Sequence, residues 1–386
     1  VLRREGEPRY ADLGPLDEVT ARAFALREAL QDLRIAPAER RARAQALYQA
    51  VLAPLAPHLA GASHLLIAPD AALHLVPFAA LEDGEGRLLV EQLRITYLTS
   101  GRDLLRLGLG GRAREGPLLV AAPGFDGGGA VAEKPPAPVQ VAAAPRRSRD
   151  FAGMRFVPLP GTRDEATALA KLLGVEALTG TKAREAALKG AHGPPLLHLA
   201  THGFFLADQA EPLPERRDLE ESRPPRPPAT ESALLRSGLA LAGANRLADG
   251  EDDGILTALE LAGLDLTGTQ LLVLSACETG VGEVQHGEGV YGLRRAALLA
   301  GAEAQLVSLW KVADEATRRL MEAYYRRLLA GEGRSEAMRQ VQLEMLRNPT
   351  LAHPFYWASF IPIGAWGPLE VPAKESESAR SAAAPR

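Results

Sequence analysis

The chain has 386 residues, of which 46% are hydrophobic and 24% charged, with a formal net charge of −4, eight histidines and one cysteine. That length predicts two to three domain-sized cores, and the charge balance offers no basic field for nucleic acid or for a membrane surface. No apolar run approaches the roughly 18 residues that cross a bilayer, one cysteine makes no intrachain disulfide, and one thiol with scattered histidines makes no zinc site, so no metal and no cofactor is expected.

The sequence opens on Val-Leu-Arg-Arg, without methionine or a signal-like stretch, and reads as a piece of a longer cytoplasmic protein. Residues 17–60 carry helical periodicity broken at Ala36-Pro37, and Pro57 is expected to end the second helix. They form an N-terminal helical segment, 1–60. Next, 61–125 reads as a small α/β lobe. It holds a buried strand "HLLIAPD" (64–70), an extended "ALHLVPFAAL" (72–81), a hairpin-like pair "GRLLVEQLRITYLTS" (86–100) and a strand "GPLLVAAPG" (116–124). Residues 126–150 are rich in Gly, Pro and Ala without periodicity, a flexible linker.

Structure is expected to resume over 151–370. Thr162 is placed to cap a helix, with Glu165 three residues on in capping-box position. A helix at 181–191 precedes the strand "PPLLHLATHGFF" (194–205). Residues 207–230, crowded with Pro and charge, read as a mobile insertion. A strand "SGLALAG" (237–243), a loop and helix at 252–266, and the strand "TQLLVLSAC" (269–277) follow. Beyond them come a helix at 287–302, the strand "AQLVSLW" (304–310), two amphipathic helices near 314–330 and 334–347, and "FYWASFIPIG" (355–364). The tail from 371 reads as disordered. Strands that are apolar throughout and alternate with helices predict an α/β fold with a mostly parallel sheet covered on both faces.

Ligands and reacting groups in such folds gather at the carboxyl ends of strands. Two strands end in reactive residues: "LLHLATHG" at His202-Gly203 and "LLVLSACETG" at Cys277-Glu278. If the strands are parallel neighbours, imidazole and thiol face one crevice, where histidine activates the thiol. The backbone N–H groups of Gly203 and Cys277 are candidate oxyanion donors. His198 lies about 13 Å from His202 along an extended strand, too far to be its partner, and reads as a packed or supporting group.

The blocks "HLATHGFF", "DGILTALEL", "LVLSACETG", "EGVYGLRRAALLAGA", "SLWKVADEAT" and "HPFYWASFIPIG", in this order, closely resemble CHAT domains, the caspase-like family commonly attached to TPR repeats; "LIAPDAALHLVPFAAL" resembles the family's early segment. The resemblance covers most of residues 45–366. It implies a caspase-type fold of clan CD cysteine peptidases related to separase, with the catalytic pair on His202 and Cys277. It also hints that the N-terminal lobe is a degenerate caspase-like unit. The spacing 277 − 202 = 75 exceeds the roughly 50 of caspases, and the 207–230 insertion accommodates the excess at small entropic cost.

In the separase-like branch, a segment similar to "SLWKVADEAT" borders a pocket for a basic side chain. Asp314 is therefore a pocket candidate, and it is equally a candidate cap for the helix it begins. Glu278, Asp253 and Trp310 are further pocket candidates, while Lys182, Arg294 and Arg295 read as solvated or paired helix faces. The expected function is a cysteine endopeptidase cleaving a protein partner and switched by upstream TPR or other sensor repeats. The alternative is a catalytically silent caspase-like scaffold.

Overall fold

The computed structural model describes residues 1–3, 5–108, 110–127, 154–206, 232, 234–246, 252–278 and 288–370, with the backbone alone at 277, 278 and 288–291. The linker, apart from Asp126 and Gly127, the 207–230 insertion and the tail from 371 lie outside these residues.

In chain order, helices α1 (Leu16–Gln31) and α2 (Pro37–Val51) pack on each other, and Pro37 occupies the first turn of α2, where its missing N–H costs nothing. Strand β1 (His64–Ile67), the one-turn α3 (Leu89–Gln92), β2 (Arg94–Tyr97) and β3 (Leu118–Pro123) follow. Then come α4 (Pro160–Leu173), β4 (Ala177–Gly180), α5 (Glu185–Lys189), β5 (Leu196–Ala200), β6 (His202–Phe205), β7 (Ser237–Ala240), β8 (Ile255–Thr257) and α6 (Ala258–Ala262). The chain continues through β9 (Leu271–Leu274), β10 (Cys277–Glu278), α7 (Glu288–Leu299), β11 (Ala304–Ser308), α8 (Asp314–Leu329), α9 (Arg334–Arg347), α10 (Pro354–Trp357) and β12 (Phe360–Gly364).

Eight strands form one sheet in the order β1-β2-β12-β11-β9-β5-β3-β4. Every neighbouring pair is parallel except β11–β12. The sheet is thus two parallel halves of opposite sense, three strands and five, joined at one antiparallel seam. Residues 61–125 and 151–370 both contribute to it: β12 pairs with β2, and β3 pairs with β4 and β5. The central strands β5, β9, β11 and β12 are buried at every position, while the edge strands β1 and β4 are half-buried. That is why the central strands read as unbroken apolar runs.

Register assigns the faces. His198, Val273 and Leu306 align in one row, and His198 reaches Tyr325 of α8 and lies beside Glu165 of α4. In the next row Leu197, Leu272 and Gln305 align, and Gln305 donates to the Arg294 carbonyl of α7. Helices α4 and α8 therefore cover one face and α7 the other, giving the expected two-sided α/β arrangement.

Several local expectations change. Residues 86–100 contain one strand, not a hairpin pair, because Leu89 and Val90 turn inward as a helical turn and are buried. The segment 72–81 is two short 3-10 turns, Ala71–Leu75 and Phe78–Ala80, pinned by the Tyr97 hydroxyl, which donates to the Val76 carbonyl and accepts from the Phe78 N–H. Helix α2 stops at Val51, before Pro57, which sits in a following 3-10 turn. Helix α4 begins at Pro160, so Thr162 falls inside the first turn rather than at the cap. Arg294 is no solvated helix face: it is 3% exposed, and burial lowers its guanidinium pKa to about 10. Lys182 lies in a turn before α5, exposed and paired with Glu176.

Candidate active site

Strands β5 and β9 are neighbours, and both leave the main sheet at the same end. After Thr201 on one strand and Ser275-Ala276 on the other they pair again as β6 and β10, now within a four-stranded sheet ordered β10-β6-β7-β8. The expected strands therefore stop two or three residues earlier than the sequence suggested, and the reactive residues begin a second sheet. Cys277 stands directly across from His202 in parallel register, and Glu278 across from Gly203. Neighbouring strands run about 4.8 Å apart, so the two backbones are as close as sheet geometry allows. Gly203 lies within this sheet, between β10 and β7, and β10 forms its edge.

The imidazole of His202 is 3% exposed and sits against the rings of Phe125 and Phe156, with centroids 5.3 and 5.7 Å away. Its Nε2 lies 2.7 Å from the Val157 carbonyl. A carbonyl only accepts, so Nε2 carries the proton and Nδ1 of the neutral ring is the basic nitrogen. Nδ1 is buried and has no hydrogen-bond partner among the described residues. Burial lowers the His202 pKa, the Val157 carbonyl works to raise it, and the charge of Lys311 lowers it further. Burial thus favours the neutral ring, which is aligned by a backbone carbonyl that the sequence did not reveal.

Beside His202 a small cavity is lined by Thr162, Glu165, Thr201, Ser275, Lys311 and Asp314, among others. It holds about 20 Å³, room for little more than one water. Asp314 lines this cavity together with His202. It is not the cap of its own helix: α8 has Ala313 at the cap position, and the Asp314 carboxylate accepts from the Gly161 N–H of α4 at 3.1 Å. It caps the other helix, and a Cβ at Gly161 would collide with its side chain.

Glu165, read from the sequence as part of a capping box, is a buried carboxylate on this cavity. Its Oε1 is 3.2 Å from His198 Nε2, and its Oε2 accepts from the Ser275 hydroxyl at 3.2 Å. His198 Nδ1 lies 2.9 Å from the Tyr325 hydroxyl. The carboxylate beside Nε2 favours the tautomer with the proton on that nitrogen, which leaves Nδ1 to accept from the Tyr325 hydroxyl. His198 is the packed, supporting group that the sequence allowed.

The remaining candidates fall elsewhere. Trp310 and Trp357 are buried, with indole N–H groups donating to the Phe355 and Ala352 carbonyls. Asp253 accepts from the Ile255 N–H in the turn before β8 and does not line the cavity beside His202. At Glu278 only the backbone position is described. Among the described residues no group of three or more His, Cys, Asp or Glu is placed to hold a metal ion.

The family model described as CHAT domain matches residues 41–365. The chain belongs to the CHAT domain family. It is similar to tetratricopeptide repeat protein 28 of Homo sapiens, 26% identical over 83% of this chain and 13% of that protein. The mouse protein of the same name is 27% identical over 54% of this chain and 9% of its own length. The chain thus spans a small part of these relatives. Among solved structures, the Saccharomyces cerevisiae separase–securin complex aligns with a TM-score of 0.41 at 13% identity, over 78% of this chain and 15% of that one. The Arg-specific cysteine proteinase gingipain R aligns at 0.42 and 10% identity, over 90% and 74%.

Proposed function

We propose that this protein is a cysteine endopeptidase with Cys277 as nucleophile and His202 as base. The observation that carries the reading is the direct register of the two residues on paired strands, together with an imidazole whose Nδ1 is left basic by the Val157 hydrogen bond. His202 Nδ1 takes the thiol proton and the thiolate attacks the peptide carbonyl. The resulting oxyanion is held by backbone N–H groups, for which Gly203 and Cys277 are the candidates. The intermediate collapses to a thioester as the imidazolium protonates the leaving amine. Water, deprotonated by the same nitrogen, then releases the acid and restores the thiol.

The cavity beside His202 is the proposed pocket for the residue before the scissile bond. Its two carboxylates, Asp314 and the buried Glu165, favour a basic side chain by charge-assisted hydrogen bonds. At about 20 Å³ it admits no arginine, so the segment Lys311–Asp314 must move for substrate to enter. In this reading that movement is the activation step, driven by repeats of the kind named in the relatives.

Mapping new protein N-termini in a proteome digested with the wild type and with Cys277→Ala tests the proposal. Cuts present with the wild type and absent with the variant support it. Identical patterns, or none under any activating condition, favour the silent scaffold.

A further inference from the structure

The hydrogen bond that orients His202 comes from an irregular segment. Residues 154–159 have no regular secondary structure, and Val157, whose carbonyl takes the Nε2 proton, is 61% exposed. Its own side chain therefore gives the segment little anchorage, and Pro158 after it has no N–H to donate. The anchor lies one residue back. The Phe156 N–H donates to Asn245 Oδ1 at 2.8 Å, and Asn245 Nδ2 donates to the Phe156 carbonyl at 2.8 Å and to Asp126 Oδ1 at 3.0 Å. The side-chain amide takes both backbone groups of Phe156, as a neighbouring strand would. A flipped amide would set its NH2 against the Phe156 N–H, so its orientation is fixed by its partners.

Asn245 is in turn tied to the strands around His202. Strand β7 pairs with β6, which begins at His202, and Asn245 lies in the turn that follows β7. There the Asn245 N–H donates to the Phe125 carbonyl at 3.0 Å, and the Gly243 N–H to the Gly124 carbonyl at 3.1 Å. Phe125 and Phe156 are the two rings that lie against the imidazole. One residue thus links both rings, and the carbonyl next to one of them, to the strand beside that of His202. A displaced carbonyl would free Nε2 and let the ring turn or change tautomer, and a misplacement of about 1 Å can slow a reaction about 100-fold.

We propose that Asn245 is a positioning residue for the base: by clamping Phe156 it sets the Val157 carbonyl, which keeps the His202 proton on Nε2 and leaves Nδ1 to accept one. The role rests on the His202–Cys277 reading above, and two measurements that need no proteolysis test it. In protein labelled with 15N-histidine, wild type should show a ring N–H signal from His202 Nε2, assigned by its loss in His202→Ala. Asn245→Ala should lose that signal. Asn245→Asp still accepts from the Phe156 N–H but cannot donate to its carbonyl, so it should weaken the signal, and it decides the matter if Asn245→Ala does not fold. The second measurement is the rate at which iodoacetamide alkylates Cys277, the one thiol in the chain. Asn245→Ala should lower it at least about tenfold at pH 7, towards the rate of His202→Ala. Asn245 variants that melt lower yet keep the His202 signal and the wild-type alkylation rate make Asn245 a turn residue alone and overturn the proposal. A His202→Ala protein alkylated as fast as wild type instead removes the dyad reading, while the ring signal still reports the clamp.

Discussion

The two halves of the sheet use the same geometric opportunity differently. In the five-stranded half, β5 and β9 break and re-pair as β6 and β10, which brings a histidine and a cysteine into register and leaves a cavity of about 20 Å³. In the three-stranded half the strands end, among the described residues, without a second sheet and beside a cavity of about 300 Å³. The candidate His202–Cys277 pair accompanies the broken strands, and open space accompanies the unbroken ones. The seam turns the carboxyl ends of the two halves apart, so the candidate pair and the larger cavity lie on opposite sides of the sheet.

The sharpest way to break this contrast is at the reacting residues. Cys277→Ala and His202→Ala should each abolish cleavage while circular dichroism and melting stay close to wild type, whereas Glu303→Gln, on the larger cavity, should retain cleavage by the assembled dyad. Substantial turnover by Cys277→Ala, in a preparation shown free of other proteases, would remove the site from this half.

Next in size is the polar network under the dyad. Glu165→Ala leaves the Ser275 hydroxyl buried without its acceptor and removes the carboxylate beside His198 Nε2, and leaving a buried polar group unsatisfied costs about 1–3 kcal/mol. The urea midpoint should fall by that amount at unchanged slope. Glu165→Gln keeps the shape and an acceptor oxygen, so its loss should be smaller. Equal losses would mean that the charge, not the hydrogen bonding, holds the network.

That His202 and Cys277 would meet was legible because each follows an unbroken apolar strand and borders residues unlike the run before them. The break within each strand was not: Thr201 and Ser275-Ala276 have nothing in their composition to separate them from a strand's last residues. Glu165 was misread because its spacing from Thr162 imitates a capping box. Pro160 instead sets the helix start three residues earlier than a Thr162 cap would, and long-range contacts with β5 and the residue after β9 decide what the carboxylate meets. Asp314 was legible as a capping acid, but the helix it caps begins 154 residues away from it, at Pro160, and no local pattern encodes that. Arg294 shows the same limit, since a basic residue in a helical pattern looks solvated until its neighbours are known.

Acid should weaken both halves. Burial is the largest cause that depresses His64, His74 and His353 to about 4, with Arg94, Arg294 and Arg40 respectively adding to it, and it also lowers His202. An unfolded histidine titrates near 6.5. A depressed folded value means that the stability is complete above about 6.5 and is lost as pH falls towards 4. For His74, 7% exposed, this amounts to at most roughly 3 kcal/mol. Glu185 works in the opposite sense: burial raises it to about 7 despite Lys189 at 2.6 Å, so its contribution grows as pH falls from 7 towards 4.5. The net expectation is a falling Tm between about pH 6.5 and about pH 4.5. His74→Gln should reduce the slope, and an unchanged slope would assign the loss to other groups.

The smallest effect on stability, and the most informative for substrate choice, is expected at Asp314. Its carboxylate caps α4 through the Gly161 N–H, and loss of such a cap costs about 1 kcal/mol. The same carboxylate lines the closed cavity beside His202, where a basic substrate side chain would compete with that N–H for it. Removing one partner of a desolvated charged pair costs about 2–5 kcal/mol. Asp314→Ala should therefore lower kcat/KM for arginine-containing substrates at least about tenfold, more than its stability loss predicts. Asp314→Asn, which retains an acceptor for Gly161 but no charge, separates the two roles: it should keep the wild-type Tm and still lose the preference for arginine. If Asp314→Asn cleaves arginine substrates as well as wild type, the residue is a helix cap alone and Glu165 is left as the acidic group of the pocket.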